Sequence, residues 1–284
     1  MGGKLFRNFS FFSATLSFFI LLGIFVVLFT YAQQSMHKFG FHFLLTDVWQ
    51  PGEDDEGGVF GGFIPIVGTL LSTLIAMLIA TPLAMGIAIF LTEIASVTIA
   101  KPVSIAIELL AAIPSIIYGM WGLFYFAPIV QKTFGGDGVG LLTAGIVLAI
   151  MIIPFMASIT RDSMNTAPSV LKESAYAMGA TKFEVIKDVI MPYAKGGIIG
   201  SIILALGRAL GETMAVAFLI GSVMHVVKHM TDPTTSIPVL LANNFSEAQD
   251  LELSSMYYLA LVLFVVSFVI ISIAKFYFLG KKVK

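Results

Sequence analysis

Six apolar stretches, at roughly 9–31, 64–93, 103–131, 140–160, 195–225 and 254–279, constrain this chain more than any other feature of it. Each has about 20 residues or more, the length a helix needs to cross a hydrocarbon core about 30 Å thick. Inside such a core every backbone N–H and C=O must be satisfied without water, which leaves only helices or a closed barrel. A barrel would show short blocks alternating polar and apolar, and the stretches do not alternate. Charged residues make up 12% of the 284 positions, against roughly 25% in soluble domains. The sequence therefore predicts an all-α integral membrane protein with six transmembrane helices, several of them tilted or projecting beyond the bilayer.

An even number of spans places both termini on one side, and basic residues identify that side as cytoplasmic. With the N-terminus inside, all 16 Lys and Arg residues except Lys38, Lys132, Lys228 and Arg208 fall in cytoplasmic segments. A miscounted span would scatter them over both faces. Lys4 and Arg7 precede the first stretch, and Thr30-Tyr31-Ala32 loosely resembles a signal cleavage site. The run exceeds the roughly 7 to 15 residues of a signal core, so an uncleaved anchor is expected. The organisation read from this is an N-terminal helix and outer loop over 1–62, then a helical core over 63–284.

Composition excludes several chemistries. With no Cys, thiolate catalysis, Cys-ligated zinc and disulfides are ruled out. No Gly-x-x-x-x-Gly-Lys-Ser/Thr loop is present, so the sequence shows no P-loop for ATP. Gly136-Asp137-Gly138-Val139-Gly140 lacks a preceding strand and reads as a turn between spans. Glu53-Asp54-Asp55-Glu56, between glycines, reads as a solvated acidic outer loop. His225 and His229 lie one turn apart if the fifth helix reaches them, but no third ligand accompanies them and no metal site is assigned. A net charge of −1 suggests no nucleic-acid partner.

The most patterned polar segment is the cytoplasmic loop 161–195. Pro168 suits a helix start and Gly179 a helix stop. Thr181-Lys182-Phe183-Glu184 then forms a capping box, opening a second helix that Pro192 is expected to close. Ser174, Ala175, Ala177, Gly179 and Ala180 keep the turn slim, while Tyr176 and Met178 offer apolar contact.

Glu173-Ser174-Ala175, Gly179 and Val189-Ile190-Met191-Pro192 resemble the EAA loop of ABC-importer permeases. Ser174 replaces the usual second residue, Ala, and Met191 the usual Leu. The resemblance implies a type I importer permease core over 63–284. Its coupling helix, formed by Glu173, Ser174, Ala175, Tyr176 and Gly179, would sit in a cleft of a separate ATPase subunit.

The fifth stretch carries Gly207-Arg208-Ala209-Leu210-Gly211-Glu212-Thr213-Met214-Ala215. A central Arg costs about 2.5–3.5 kcal/mol on insertion scales, so such residues line a pathway or pair with another group. Arg208 and Glu212, four apart, would share one helical face and could meet. Arg after which an acid follows is the weaker order for an intrahelical pair, and a buried pair is poor value for stability. Guanidinium matches two oxygens of an oxyanion better than an ammonium does. Gly200, Gly207 and Gly211 form a stripe that would admit a close neighbouring helix. Glu93 and Glu108 fall near span ends, where water is expected to reach them; Pro82, Pro114 and Pro154 interrupt spans as kinks or hinges.

This fifth-stretch segment is similar to the signature of PstC-type permeases of bacterial phosphate-specific transporters. Val59-Phe60-Gly61-Gly62-Phe63-Ile64-Pro65 and Glu108-Leu109-Leu110-Ala111-Ala112-Ile113-Pro114-Ser115 resemble the same family. Met214-Ala215 after Arg-x-x-Gly-Glu-Thr distinguishes it from the partner permease type, which continues Ala-Pro. The resemblance implies a multi-pass inner-membrane subunit whose Arg208, Glu212 and Thr213 line a phosphate pathway. It also implies a homologous second permease, two ATP-binding subunits carrying ATP and Mg, and a soluble phosphate-binding protein. No cofactor is expected on this chain. A molybdate or sulfate permease, the partner permease, a passive anion channel and a lipid-phosphate enzyme are the alternatives; the last two leave the cytoplasmic loop unexplained.

Overall fold

The computed structural model describes residues 2–52 and 58–279, so the acidic run Glu53–Glu56 lies outside the described residues. In chain order the first helices are α1 (Gly2–Phe39), α2 (Phe63–Ile89), α3 (Val97–Ala111), α4 (Ser115–Trp121) and α5 (Ala127–Phe134). Then come α6 (Leu141–Asn165), α7 (Ser169–Ala177), α8 (Lys182–Glu184) and α9 (Met191–Leu210). The last are α10 (Met214–Ala217), α11 (Ile237–Asn244) and α12 (Asp250–Leu279). Wide π-type turns extend α2 over Phe90–Ile94, join α4 to α5 over Gly122–Phe126, and join α8 to α9 over Val185–Ile190.

The chain partitions into two compact units, Met1–Phe63 with Leu240–Val266, and Ile64–Val239 with Ser267–Lys284. In the first, α1 runs well past the 9–31 expected from hydropathy. Its C-terminal end stays helical because it packs on the start of α12. The Ser35 amide donates to Ser254 Oγ at 3.0 Å, Ser255 Oγ bonds Ser35 Oγ at 3.0 Å, and Phe43 stacks on Tyr258 with centroids 4.4 Å apart. Most of its apolar side chains, from Leu5 to Phe29, are exposed, as expected of a surface that meets acyl chains. A small antiparallel pair, β1 (Trp49–Gln50) with β2 (Val59–Phe60), completes this unit, with Trp49 opposite Phe60.

The second unit is built around α6. Ala76, Ala80 and Ala84, one turn apart on α2, and Ala205 and Ala209 on α9 are all buried in one core with Leu148, Met151 and Ile152. Methyl-sized side chains let helices approach closely where no hydrophobic force distinguishes lipid from protein. Thr160 and Ser201 hydroxyls bond at 2.8 Å between α6 and α9, and Gly197 abuts Ser163. The close stripe on α9 is therefore Gly197, Ser201, Ala205 and Ala209. The expected glycine stripe is not: Gly200 has open space beside it, Gly211 meets only its own helix, and Gly207 touches the side-chain tip of Ile271.

Among the described residues, five helices are long and apolar enough to span a membrane, and a sixth crossing arises if one bent pair is counted as a span. The expected 64–93 falls within Phe63–Ile94, 254–279 falls within α12, and 140–160 matches Leu141–Asn165 from its second residue on. Two expectations change. The third stretch is not one rod: α3 and α4–α5 meet at 92° across Ala112–Pro114, with Pro114 capping α4. The Tyr118 hydroxyl donates to the Leu110 carbonyl at 2.9 Å and ties the two arms. The fifth crossing-length helix runs Lys182–Leu210, displaced from 195–225 at both ends. Pro192 does not close its first helix. The π-type turn before it, with Met191 N–H bonded to the Ile186 carbonyl, shifts the bonding register so that the ring fits without ending the helix.

Candidate functional site

The break that ends α9 forms the first site. Glycine at 207 and 211 weakens the helix there. Gly211 caps α9, Glu212 and Thr213 leave the helix, and α10 restarts at Met214. Glu212 is held by the new helix, its Oε1 accepting from the Ala215 N–H at 3.2 Å. The four-residue spacing therefore does not place Glu212 on the face of Arg208. The Thr213 hydroxyl, half-buried beside it, donates to the Gly211 carbonyl at 3.3 Å.

Arg208 occupies the last turn of α9 and is half-buried. Its guanidinium carbon lies 5.4 Å from the ring centroid of Phe155, next to the proline of α6. Among the described residues no carboxylate lies within the 4.0 Å of an ion pair with it. The negative end of the helix offers about 0.3–1 kcal/mol to such a cation, and the aromatic face about 0.5–2 kcal/mol. These terms hold the charge in place without neutralising it. The α4 helix packs directly on α10, where a Cβ at Gly119 would lie 2.9 Å from Ala215 Cα. Two restarted helices thus meet beside the fifth-span break.

The loop 161–195 is the second site, and its local structure follows the sequence closely. Pro168 caps α7, and Gly179 ends it at φ +87°. The Gly179 N–H bonds the Tyr176 carbonyl at 2.9 Å and the Ala180 N–H the Ala175 carbonyl at 3.1 Å, which is the Schellman closure. Both bonds of the Thr181–Glu184 capping box are formed. Ala175 and Ala180 pack inward against Ala88, Met164, Val185 and Ile190. Glu173, Ser174, Tyr176, Met178 and Gly179 face outward, Met178 being 90% exposed and Phe183 70%. An apolar knob on a rigid turn is thereby presented away from the bundle.

Some polar contacts carried no sequence signal, because their partners lie far apart in the chain. Glu93, expected to be wetted, has a side chain only 9% exposed and accepts from Lys172 Nζ at 2.6 Å. Glu108 is 55% exposed and pairs with Arg161 at 2.9 Å, which also bonds Asp162 at 2.7 Å. The histidine spacing is not realised, since 221–236 is not helical; His225 O accepts from Thr234, and His229 Nδ1 lies 3.6 Å from Asp232.

Residues 57–284 match the family described as binding-protein-dependent transport system inner membrane component. The chain belongs to that family. Among relatives of this permease, the phosphate transport system permease protein PstC of Pasteurella multocida is 45% identical over 291 residues, covering 95% of this chain and 90% of that one. The protein of the same name from Mesorhizobium japonicum is 46% identical, covering 93% and 86%. The probable PstC of Methanocaldococcus jannaschii is 35% identical, covering 92% and 87%. In fold the permease resembles a chain of the MetNI methionine ABC transporter, solved in inward-facing conformations (TM-score 0.61, 18% identity, 76% of this chain and 94% of that one). It also resembles a chain of an amino acid ABC transporter (TM-score 0.55, 18% identity, 75% and 90%). It is an all-α, multi-pass membrane protein with the type I importer permease fold.

Proposed function

We propose that this permease carries inorganic phosphate inward, with Arg208, Glu212 and Thr213 lining its path. The observation that carries the reading is a half-buried guanidinium, at the break of a spanning helix, facing an aromatic ring and, among the described residues, no carboxylate. Such a charge is electrostatically open to an anion, and its fork matches two phosphate oxygens. The names of relatives at 45% and 46% identity over nearly the whole chain support phosphate as that anion. Glu212 does not pair with Arg208. One of its oxygens caps α10, which leaves the other to accept the P–OH of hydrogen phosphate while Arg208 donates to the remaining oxygens. Sulfate has no such proton at neutral pH.

The coupling helix, through Glu173, Ser174, Ala175, Tyr176 and Gly179, seats in a cleft of an ATPase subunit, and the exposed Tyr176 and Met178 make the apolar contact. The permease hydrolyses no ATP itself; ATP and Mg reside on two partner subunits. A homologous second permease and a soluble phosphate-binding protein complete the importer, and both termini are cytoplasmic. The test is ATP-dependent uptake of radiolabelled phosphate into proteoliposomes holding the complete complex, with sulfate as competitor. Uptake lost in Arg208→Gln and reduced at neutral pH in Glu212→Gln is the expected result. Unchanged uptake in Glu212→Gln contradicts the proton-accepting role, and effective competition by sulfate contradicts the selectivity.

A further inference from the structure

Glu93 closes the π-type turn Phe90–Ile94 at the cytoplasmic end of α2, and Lys172 lies in the first half of the coupling helix α7. The geometry points to the Lys172–Glu93 ion pair as the strut through which movement of the coupling helix reaches the second spanning helix. Four observations converge on it. The contact is short, 2.6 Å, and its carboxylate is only 9% exposed, its ammonium 23%. No other ion pair or hydrogen bond of either side chain is found among the described residues. The turn that carries Glu93 is itself a wide one, with the Ala95 N–H bonded to the Phe90 carbonyl at 2.8 Å, the kind of local irregularity that helices place at functional positions. Finally, the apolar floor beneath α7 is shared with α2: Ala175 and Ala180 pack into the same cluster as Ala88, Met85 and Ile89.

The apolar floor alone could slide, since methyl groups at van der Waals distance have no fixed register. A sheltered charge pair cannot slide without leaving the buried Glu93 carboxylate uncompensated, which is strongly unfavourable. The pair therefore fixes the register between α7 and the end of α2, and a push on the exposed knob at Tyr176 and Met178 is carried to the helix that contributes Ala76, Ala80 and Ala84 to the central core. Lys172 and Glu93 are positioning residues and touch no substrate. The other cytoplasmic pairs do not fit this role, because Glu108 and Asp162 are more than half exposed and link α6 to α3 and to itself.

The inference rests on the importer reading, and the experiment separates the two. The complete complex with its ATPase subunits and binding protein is reconstituted with wild-type chain, Glu93→Gln, Lys172→Gln and the charge-swapped Glu93→Lys/Lys172→Glu. Phosphate uptake, ATP hydrolysis stimulated by the loaded binding protein, and co-purification of the ATPase are measured. The single variants are expected to co-purify normally and keep unstimulated hydrolysis. Their uptake and stimulated hydrolysis should fall about 2- to 30-fold, the range for residues along a coupling route. The swapped chain should recover most of the loss, which a merely local packing defect would not do. Single variants with wild-type uptake overturn the inference, and so does a swapped chain that assembles yet stays as impaired as the singles. If the singles fail to assemble, the swapped chain decides: restored assembly and uptake support the strut, continued failure overturns it. Absence of phosphate uptake by the wild-type complex instead overturns the substrate reading, and stimulated hydrolysis then still scores the pair.

Discussion

Replacing Arg208 by Gln separates a pathway charge from a structural one, because the two readings predict opposite stability effects. If Arg208 were one half of a buried ion pair, its removal would strand a carboxylate and cost about 3–5 kcal/mol. The structure shows no carboxylate within ion-pair distance of it among the described residues, and Glu212 is bonded to the Ala215 amide instead. What the folded chain loses is a cation–π contact of about 0.5–2 kcal/mol and a helix-end interaction of about 0.3–1 kcal/mol. It gains relief from the roughly 2.5–3.5 kcal/mol cost of a charge at membrane depth. The unfolding midpoint of the purified complex should therefore be unchanged or slightly raised. Transport should respond differently. A charge-assisted hydrogen bond contributes about 1.5–3 kcal/mol, and a tenfold change in rate corresponds to about 1.4 kcal/mol. Arg208→Lys, which keeps the charge and loses one of two oxygen contacts, should lower phosphate uptake roughly 10- to 150-fold, and Arg208→Gln more. Uptake of labelled phosphate together with thermal unfolding of the same preparations checks this. A several-degree fall in midpoint that Glu212→Gln reverses would refute the reasoning, since it would reveal the pair that the structure lacks.

Gly179→Ala should strain the turn after α7 by about 1–2 kcal/mol, because φ is +87° and the space around it is open, so backbone strain alone is at issue; if α7 couples to an ATPase as proposed, a few-fold weaker co-purification of that subunit is the readout. Gly119→Val should cost about 1–3 kcal/mol by overpacking, since its Cβ would sit 2.9 Å from Ala215 Cα; a lowered unfolding midpoint with reduced uptake is expected, and an unchanged midpoint would mean α4 and α10 are not in contact. In the loop between α10 and α11, amides of His229 and Lys228 bonded to the Asp232 carboxylate hold its pKa below the usual carboxylate range. A depressed pKa contributes stability that is present above the ordinary Asp value and lost as pH falls through the lowered one. Hydrogen exchange at those two amides, corrected for intrinsic rate, should thus be constant from pH 7 to about pH 4 and rise only below it. Loosening that begins well above about pH 4 would contradict this.

What the sequence made legible is what is decided within a few residues. Caps are local, so Thr181, Glu184 and Gly179 announce their bonds in the order in which they occur along the chain. Apolar length is local too: the expected 9–31, 64–93 and 254–279 lie inside α1, α2 with its π-type extension, and α12, and 140–160 misses the start of α6 by one residue. The 92° bend at Ala112–Pro114 was hidden because the apolar composition continues through it, and a proline in such a run signals a kink as readily as a break. The end of the fifth helix was hidden for the same reason: Ala-Val-Ala-Phe-Leu-Ile continues the hydropathy beyond Leu210 while the backbone has already turned. Lys172–Glu93 and Arg161–Glu108 are separated by 79 and 53 residues, and no local pattern encodes such partners. Glutamates near span ends read as solvated until the fold supplies their cations.

The two breaks that hydropathy overlooks have one physical consequence. A spanning helix that stops at membrane depth leaves backbone groups unpaired, which hydrocarbon penalises by several kcal/mol each unless protein or a water-filled cavity receives them. At both breaks a polar side chain takes that part: Tyr118 donates to the Leu110 carbonyl across the third-stretch bend, and Glu212 accepts from the Ala215 amide where α10 restarts. The restarted segments α4 and α10 then pack on one another through Gly119 and Ala215. The half-buried charge of the fifth helix, Arg208, lies in the last turn before its break, not in the continuous part of the helix. Irregular backbone, a capped restart and an unneutralised guanidinium in one place are what a polar path through a membrane requires, because each is tolerated only where something other than lipid faces it. A continuous fifth helix, as hydropathy suggested, would have allowed Glu212 to neutralise Arg208 one turn away. Breaking the helix at Gly211 gives Glu212 a backbone amide to hold and keeps the cation available to an anion.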